Sequence, residues 1–140
     1  LKADYDSGLL EDVYNLVESN VVSDYMGQAD QLLGESIPGQ HGYVPAAVLC
    51  GAVLEDTLRR MCLRQMLPIS ILKRSGDKKT LGALIDDLQK ANAYNKMKAD
   101  QLRSWAKVRN YAAHGEFHEF NKREVEAMIN GVKGFIADYL

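Results

Sequence analysis

Proline is scarce, with three in 140 residues, and glycine numbers only eleven. That is too little turn-forming material for a low-complexity or loop-built chain. Long apolar runs are missing too, since none approaches the ~20 residues of a membrane-spanning helix. The opening Leu1-Lys2-Ala3-Asp4 brings an acid at once and leads into no apolar core, so it does not read as a secretory signal. No phosphate-binding glycine loop or dinucleotide-binding glycine motif occurs. The two cysteines, Cys50 and Cys62, form no metal-binding pair pattern. They share one helical pattern and lie roughly 18 Å apart along its axis, so they cannot bridge each other. Core thiols of this kind suit a reducing compartment, and a cytoplasmic location is expected.

What is present is an ordinary globular mixture, with 46% hydrophobic and 26% charged residues. The length suits one domain over 1–140. A first residue other than Met fits a processed chain or a domain cut from a longer protein. The net charge of −2 hides an asymmetry. Residues 1–70 carry 4 Lys and Arg against 10 Asp and Glu, whereas residues 71–140 carry 13 against 9. The densest basic stretch holds Lys90, Lys96, Lys98, Arg103, Lys107 and Arg109 against Asp100 alone. Two readings stand for it: a solvated helix face, or a local phosphate-binding track, with Lys96, Arg103 and Lys107 as its candidate contacts, on an otherwise acidic body.

Apolar spacing predicts helices and no strands. One helix runs from Tyr5 to Leu33, with Leu10, Val13, Val17, Val21, Tyr25, Ala29 and Leu32 on its stripe and Gly34 as the residue that ends it. Turn chemistry follows at Ile37-Pro38-Gly39-Gln40-His41-Gly42. A second helix begins near Pro45, buries Ala47, Cys50, Leu54, Leu58 and Met61, and stops before Pro68. A connection over 68–79 contains Ile69-Ser70-Ile71-Leu72, which fits a helical turn or an extended piece equally well. Thr80 is the expected N-cap of a third helix carrying Leu81, Leu84, Ile85 and Leu88. A fourth spans about Asn95 to His114, with Gly115 ending it. A fifth follows Asn121 with Val125, Met128, Ile129, Val132, Phe135 and Ile136. The expected fold is therefore all-α, an antiparallel bundle of about five helices.

On a helical wheel, Leu102, Trp105 and Ala112 form the core face of the fourth helix, with Met97 and Val108 at its edges. Lys96, Asp100, Arg103, Lys107, Asn110 and His114 form a separate polar stripe. Arg109 does not belong to that polar stripe: it follows Trp105 by four and precedes Ala112 by three, which points it inward with the core face. A guanidinium placed there needs an acid. Glu55 is the expected partner, in line on the second helix with Val48, Gly51, Ala52 and Cys62, small residues that let another helix approach. The pair serves either to fix helix register or to orient Arg109 for a phosphate.

Residues 109–115 read Arg-Asn-Tyr-Ala-Ala-His-Gly. This resembles the R-x4-6-H motif of the HEPN superfamily, with Arg109, Asn110 and His114 at its three positions. The stretch Ala46-Ala47-Val48-Leu49 through Leu54-Glu55-Asp56-Thr57-Leu58-Arg59 is similar to the family's second helix, and the likeness extends over roughly 10–140. The resemblance implies a metal-independent endoribonuclease without cofactor, catalytic through Arg109, Asn110 and His114 with Glu55 in support. It implies RNA as substrate and a homodimer whose motifs face one cleft. It also implies a defence, toxin or RNA-stress setting, with an inhibitory or neighbouring-domain partner and no membrane. The alternative it leaves open is a non-catalytic helical module for dimerisation or partner binding. One obstacle is geometric: five steps on an ideal wheel set Arg109 and His114 roughly 140° apart. They converge only if the last turn departs from ideal geometry, if the arginine side chain reaches round, or if a second chain completes the site. A metal at His114 and His118 is disfavoured because Gly115 separates them.

Overall fold

The computed structural model describes residues 20–35 and 41–140. The expected first-helix positions Leu10, Val13 and Val17 and the turn residues Ile37 to Gln40 lie outside the described residues. Five helices pack together: α1 over 20–34, α2 Tyr43–Arg64, α3 Leu81–Lys90, α4 Lys96–Ala113 and α5 Lys122–Tyr139. A single 3-10 turn, Phe117–Glu119, links the last two. Among the described residues there is no strand, only an isolated antiparallel bridge between Leu72 and Lys78. The Ile69–Leu72 piece is thus non-helical, with Ile69 and Ile71 half-buried.

Three helices begin where a side chain replaces a missing backbone acceptor. Thr80 Oγ1 accepts from Ala83 N at 3.2 Å, Asn95 Oδ1 from Lys98 N at 2.9 Å, and Asn121 Oδ1 from Glu124 N at 2.9 Å. Each such cap stabilises its helix by about 1 kcal/mol. α4 ends in a Schellman arrangement: Gly115 adopts φ +72°, Glu116 N donates to Tyr111 O at 2.9 Å, and Gly115 N to Ala112 O at 3.4 Å. The left-handed conformation there is cheap only for glycine.

α2 is the central element, packed against α3, α4 and α5. Its buried stripe includes Ala47, Cys50, Leu54, Leu58 and Met61. Leu84, Ile85 and Leu88 of α3, Leu102 of α4 and Val125, Met128, Ile129, Val132 and Phe135 of α5 close the core. α2 and α4 run antiparallel, since Gly51 meets Arg109 while Tyr43 meets Phe117 and Phe120. Two glycines allow α4 its close approach. A Cβ on Gly51 would lie 2.3 Å from Arg109 Cγ, and one on Gly131 of α5 would lie 2.1 Å from Trp105 Cζ2. Trp105 is therefore a core residue, buried against α5.

Three sequence expectations are corrected. α1 buries Val22, Met26, Ala29 and Leu33, while Val21 and Tyr25 are exposed, so its packed face is turned by one residue. The doublets Val21-Val22 and Tyr25-Met26 offer apolar groups to two adjacent faces, and contact with α2 and α5, including the Lys133–Asp30 ion pair, selects one. Gly34 is helical rather than a left-handed terminator. Met97, expected at the core edge, is 80% exposed, whereas Ala99 of the same turn is fully buried, so the core face of α4 runs through Ala99 and Leu102 and leaves Met97 outside it. No described helix is long and apolar enough to cross a membrane.

Candidate functional site

Arg109 lies where its place in the apolar stripe requires. Its alkyl stem rests on the bare backbone of Gly51, and its Nη2 donates to Glu55 Oε2 at 3.3 Å. The expected Glu55–Arg109 contact is thus present. Of the small residues expected beside Glu55, Gly51 makes the seat and Cys62 is buried, whereas Val48 and Ala52 are exposed. Ala52 instead lines a groove against α1.

Glu55 also holds a residue that the sequence reading did not single out. Arg59, one turn along α2, donates from Nη2 to Glu55 Oε1 at 2.6 Å. Each carboxylate oxygen therefore takes one guanidinium. The i,i+4 spacing of Glu55 and Arg59 was the available signal. Arg59 Nε is buried and has no hydrogen-bond partner among the described residues.

The Arg109 side chain reaches toward the polar side of the helix, and both Arg109 and His114 line one cleft. Arg109 Nη1 lies 3.4 Å from Asn110 Oδ1, on the side of the helix that Asn110 shares with His114. His114 is the C-cap of α4, and its backbone N donates to Asn110 O at 3.0 Å. The chain beyond it is fixed as well. The Tyr43 hydroxyl donates to Phe117 O at 3.0 Å and lies 3.2 Å from Phe120 O, which ties the segment after Gly115 to the start of α2.

Arg109, Asn110 and His114 open onto one cleft of about 810 Å³, together with Glu55, Arg59, Lys78, Lys79, Thr80, Leu81 and Gly82. Three elements form its walls: α2, α4, and the end of the 68–79 connection with the first turn of α3. Lys79 is paired with Asp87 at 2.7 Å, whereas Lys78 is exposed and has no carboxylate partner among the described residues. Two other cavities, of about 430 and 370 Å³, lie against α1 and contain no motif residue.

The residues expected to track RNA are placed differently. Lys96 and Lys107 are exposed on α4 but do not line the cleft. Arg103 is also outside it, held by Asp86 (2.8 Å), Asp100 (2.8 Å) and Gln89 (2.6 Å). The hydrogen bond to Asp86 is the main reason its guanidinium is held in the charged form even more firmly than usual, with Asp100 adding to the effect. His118 packs its ring against His41, with centroids 5.4 Å apart. Among the described residues no group of three or more His, Cys, Asp or Glu side chains could hold a metal ion. Comparison with protein-family models, curated proteins and solved structures finds no match to the chain.

Chemically, the cleft offers two guanidinium groups, a free ammonium, an amide and a solvent-reachable imidazole around one shared carboxylate. Such a set can neutralise and hydrogen-bond a phosphate and exchange a proton beside it.

Proposed function

We propose that this cleft is the active site of a metal-independent endoribonuclease of the HEPN type. The observation that carries the reading is the opening of Arg109, Asn110 and His114 onto a single cationic cleft. RNA supplies its own nucleophile. The 2′-OH oxygen attacks the adjacent phosphorus, the P–O5′ bond breaks, and the products end in a 2′,3′-cyclic phosphate and a 5′-hydroxyl. Arg109 faces the charge that grows on the phosphorane oxygens. The His114 imidazolium delivers its proton to the departing O5′, and Asn110 orients either partner by hydrogen bonding. One imidazole in the cleft leaves proton removal from the 2′-OH unassigned, and a symmetric homodimer supplies a second. The setting we propose is a cytoplasmic defence, toxin or RNA-stress system, with an inhibitory or neighbouring-domain partner, on the motif's resemblance alone.

Labelled RNA incubated with the purified chain in EDTA tests this. Cleavage that survives chelation, leaves cyclic-phosphate ends and disappears in His114→Ala is expected. RNA left intact, or cleavage unchanged in His114→Ala, overturns it. A second reading, a non-catalytic dimerisation or partner-binding module, draws on the apolar tip past α2, where Met66 is 98% and Leu67 84% exposed. Intact RNA together with a dimer in sedimentation is the outcome that favours it.

A further inference from the structure

We infer that Arg59 is a second phosphate-binding arginine of the cleft, set beside Arg109 by the carboxylate they share, and that the ligand of this two-arginine grip is an RNA phosphodiester. The inference rests on the ribonuclease reading above. Glu55 takes Arg59 on Oε1 at 2.6 Å and Arg109 on Oε2 at 3.3 Å, so the two guanidinium groups are held side by side, one on each oxygen. Two cations on one anion leave a positive charge uncompensated at the cleft wall, and Lys78 adds another. An arginine has five N–H donors, and Arg59 uses few of them. Its Nη2 bonds Glu55, its buried Nε bonds nothing among the described residues, and its Nη1 makes no bond there either.

A buried donor without an acceptor is unfavourable, and a phosphate oxygen entering beside Glu55 offers the missing acceptor after a small rotation of the guanidinium. Two forks side by side also match a phosphate, whose oxygens accept from both at once. The unequal bond lengths divide the labour. Arg109, more loosely held and 35% exposed in its side chain, turns to the phosphate first. Arg59, more tightly held and 22% exposed, closes on it from the side. Glu55 occupies the cleft as an internal anion that an incoming phosphate displaces from Arg109.

The test is fluorescence anisotropy of a labelled 2′-O-methyl RNA, which cannot be cut through its 2′ oxygen, with the full chain at several salt concentrations. Arg59→Ala is expected to weaken binding about tenfold or more. It should also reduce the salt slope by about 0.7, the release expected for one phosphate contact on a single strand. Arg59→Lys should restore the slope and only part of the affinity, because an ammonium keeps the charge and loses the fork. Glu55→Gln, which keeps the shape and removes the competing charge, should strengthen binding. If Arg59 served only to hold Glu55, then Arg59→Ala and Glu55→Gln would shift affinity in the same direction, and the inference falls. It falls as well if Arg59→Ala binds like the unaltered chain while Arg109→Ala is weakened, an outcome that leaves the ribonuclease reading standing. If the unaltered chain binds no RNA and Arg109→Ala changes nothing, the ribonuclease reading itself fails and takes this inference with it. Should Arg59→Ala melt early, Arg59→Gln carries the same comparison.

Discussion

Arg103 and Arg109 are two arginines of one helix in opposite circumstances. Arg103 stands on the polar stripe with three acceptors from Asp86, Asp100 and Gln89 around its guanidinium. Arg109 stands in the apolar stripe, packed on Gly51, and shares a single carboxylate with Arg59. The two side chains are almost equally exposed, 38% for Arg103 and 35% for Arg109, yet the charge of the first is already taken up and the second has charge to spare. A basic residue's position in sequence or on a surface therefore says little about its availability to a phosphate. The acceptors that tertiary structure brings to it decide that.

The contrast can be broken most directly by activity. On the proposed function, Arg109→Ala should lower the RNA cleavage rate by about 10²–10³-fold, the size of losing one donor to a developing oxyanion. Arg103→Ala, measured in the same assay, should stay within about twofold, since a residue outside the cleft makes no contact there. Equal losses in the two variants would erase the distinction.

A smaller effect separates placement from stability. Gly51→Ala forces a methyl into the Arg109 stem, where a Cβ would lie 2.3 Å from Cγ. Overpacking of this kind costs about 1–3 kcal/mol, read as a lowered urea midpoint, and cleavage should fall with it. Gly131→Ala crowds Trp105, one turn before Arg109 and outside the cleft, with a Cβ 2.1 Å from Cζ2. It should cost a similar amount of stability and spare the cleft, so at a temperature where both variants are folded only Gly51→Ala should be impaired.

The comparison extends to groups that solvent does not reach. Burial pushes the Cys50 thiol up to about 12, with Asp30 adding to the rise and Lys133 opposing it. The folded chain therefore keeps this proton after the unfolded chain has begun to lose it near pH 9. The stability involved is complete below pH 9 and is lost as pH rises toward 12, by about 1.4 kcal/mol for each unit. Urea titrations between pH 8.5 and 11 should show the decline, and Cys50→Ala should make it shallower, the remainder including Cys62, whose thiol burial also raises. The smallest effect is expected from the saturated surface site. Arg103→Ala should leave the thermal midpoint within measurement error, because exposed ion pairs contribute little.

Most of the fold was legible because the relevant signals are local. Thr80, Asn95 and Asn121 are cap residues followed by amphipathic runs, and all three cap. Val125, Met128, Ile129, Val132 and Phe135 define one face without a competitor. α1 was not legible in the same way, since Val21-Val22 and Tyr25-Met26 offer two faces and only the packing partners choose between them. At the cleft, Arg109 announced itself by being a charge in an apolar stripe, and Glu55 followed from the need for an acid. Arg59 did not, because an arginine one turn after a glutamate is a commonplace surface pair until the 68–79 connection and α3 arrive to wall it in. Charge alone does not distinguish Lys96 and Lys107 from Lys78, and the chain path places only Lys78 at the cleft.

The seat under Arg109 is an absence of atoms, contributed by a helix distant in sequence from the arginine it serves. A related chain could keep every recognisable letter of 109–115 and still aim its guanidinium elsewhere, merely by gaining one methyl group on α2. Inspecting the motif alone would pass such a chain as intact; inspecting the hollow opposite it would not.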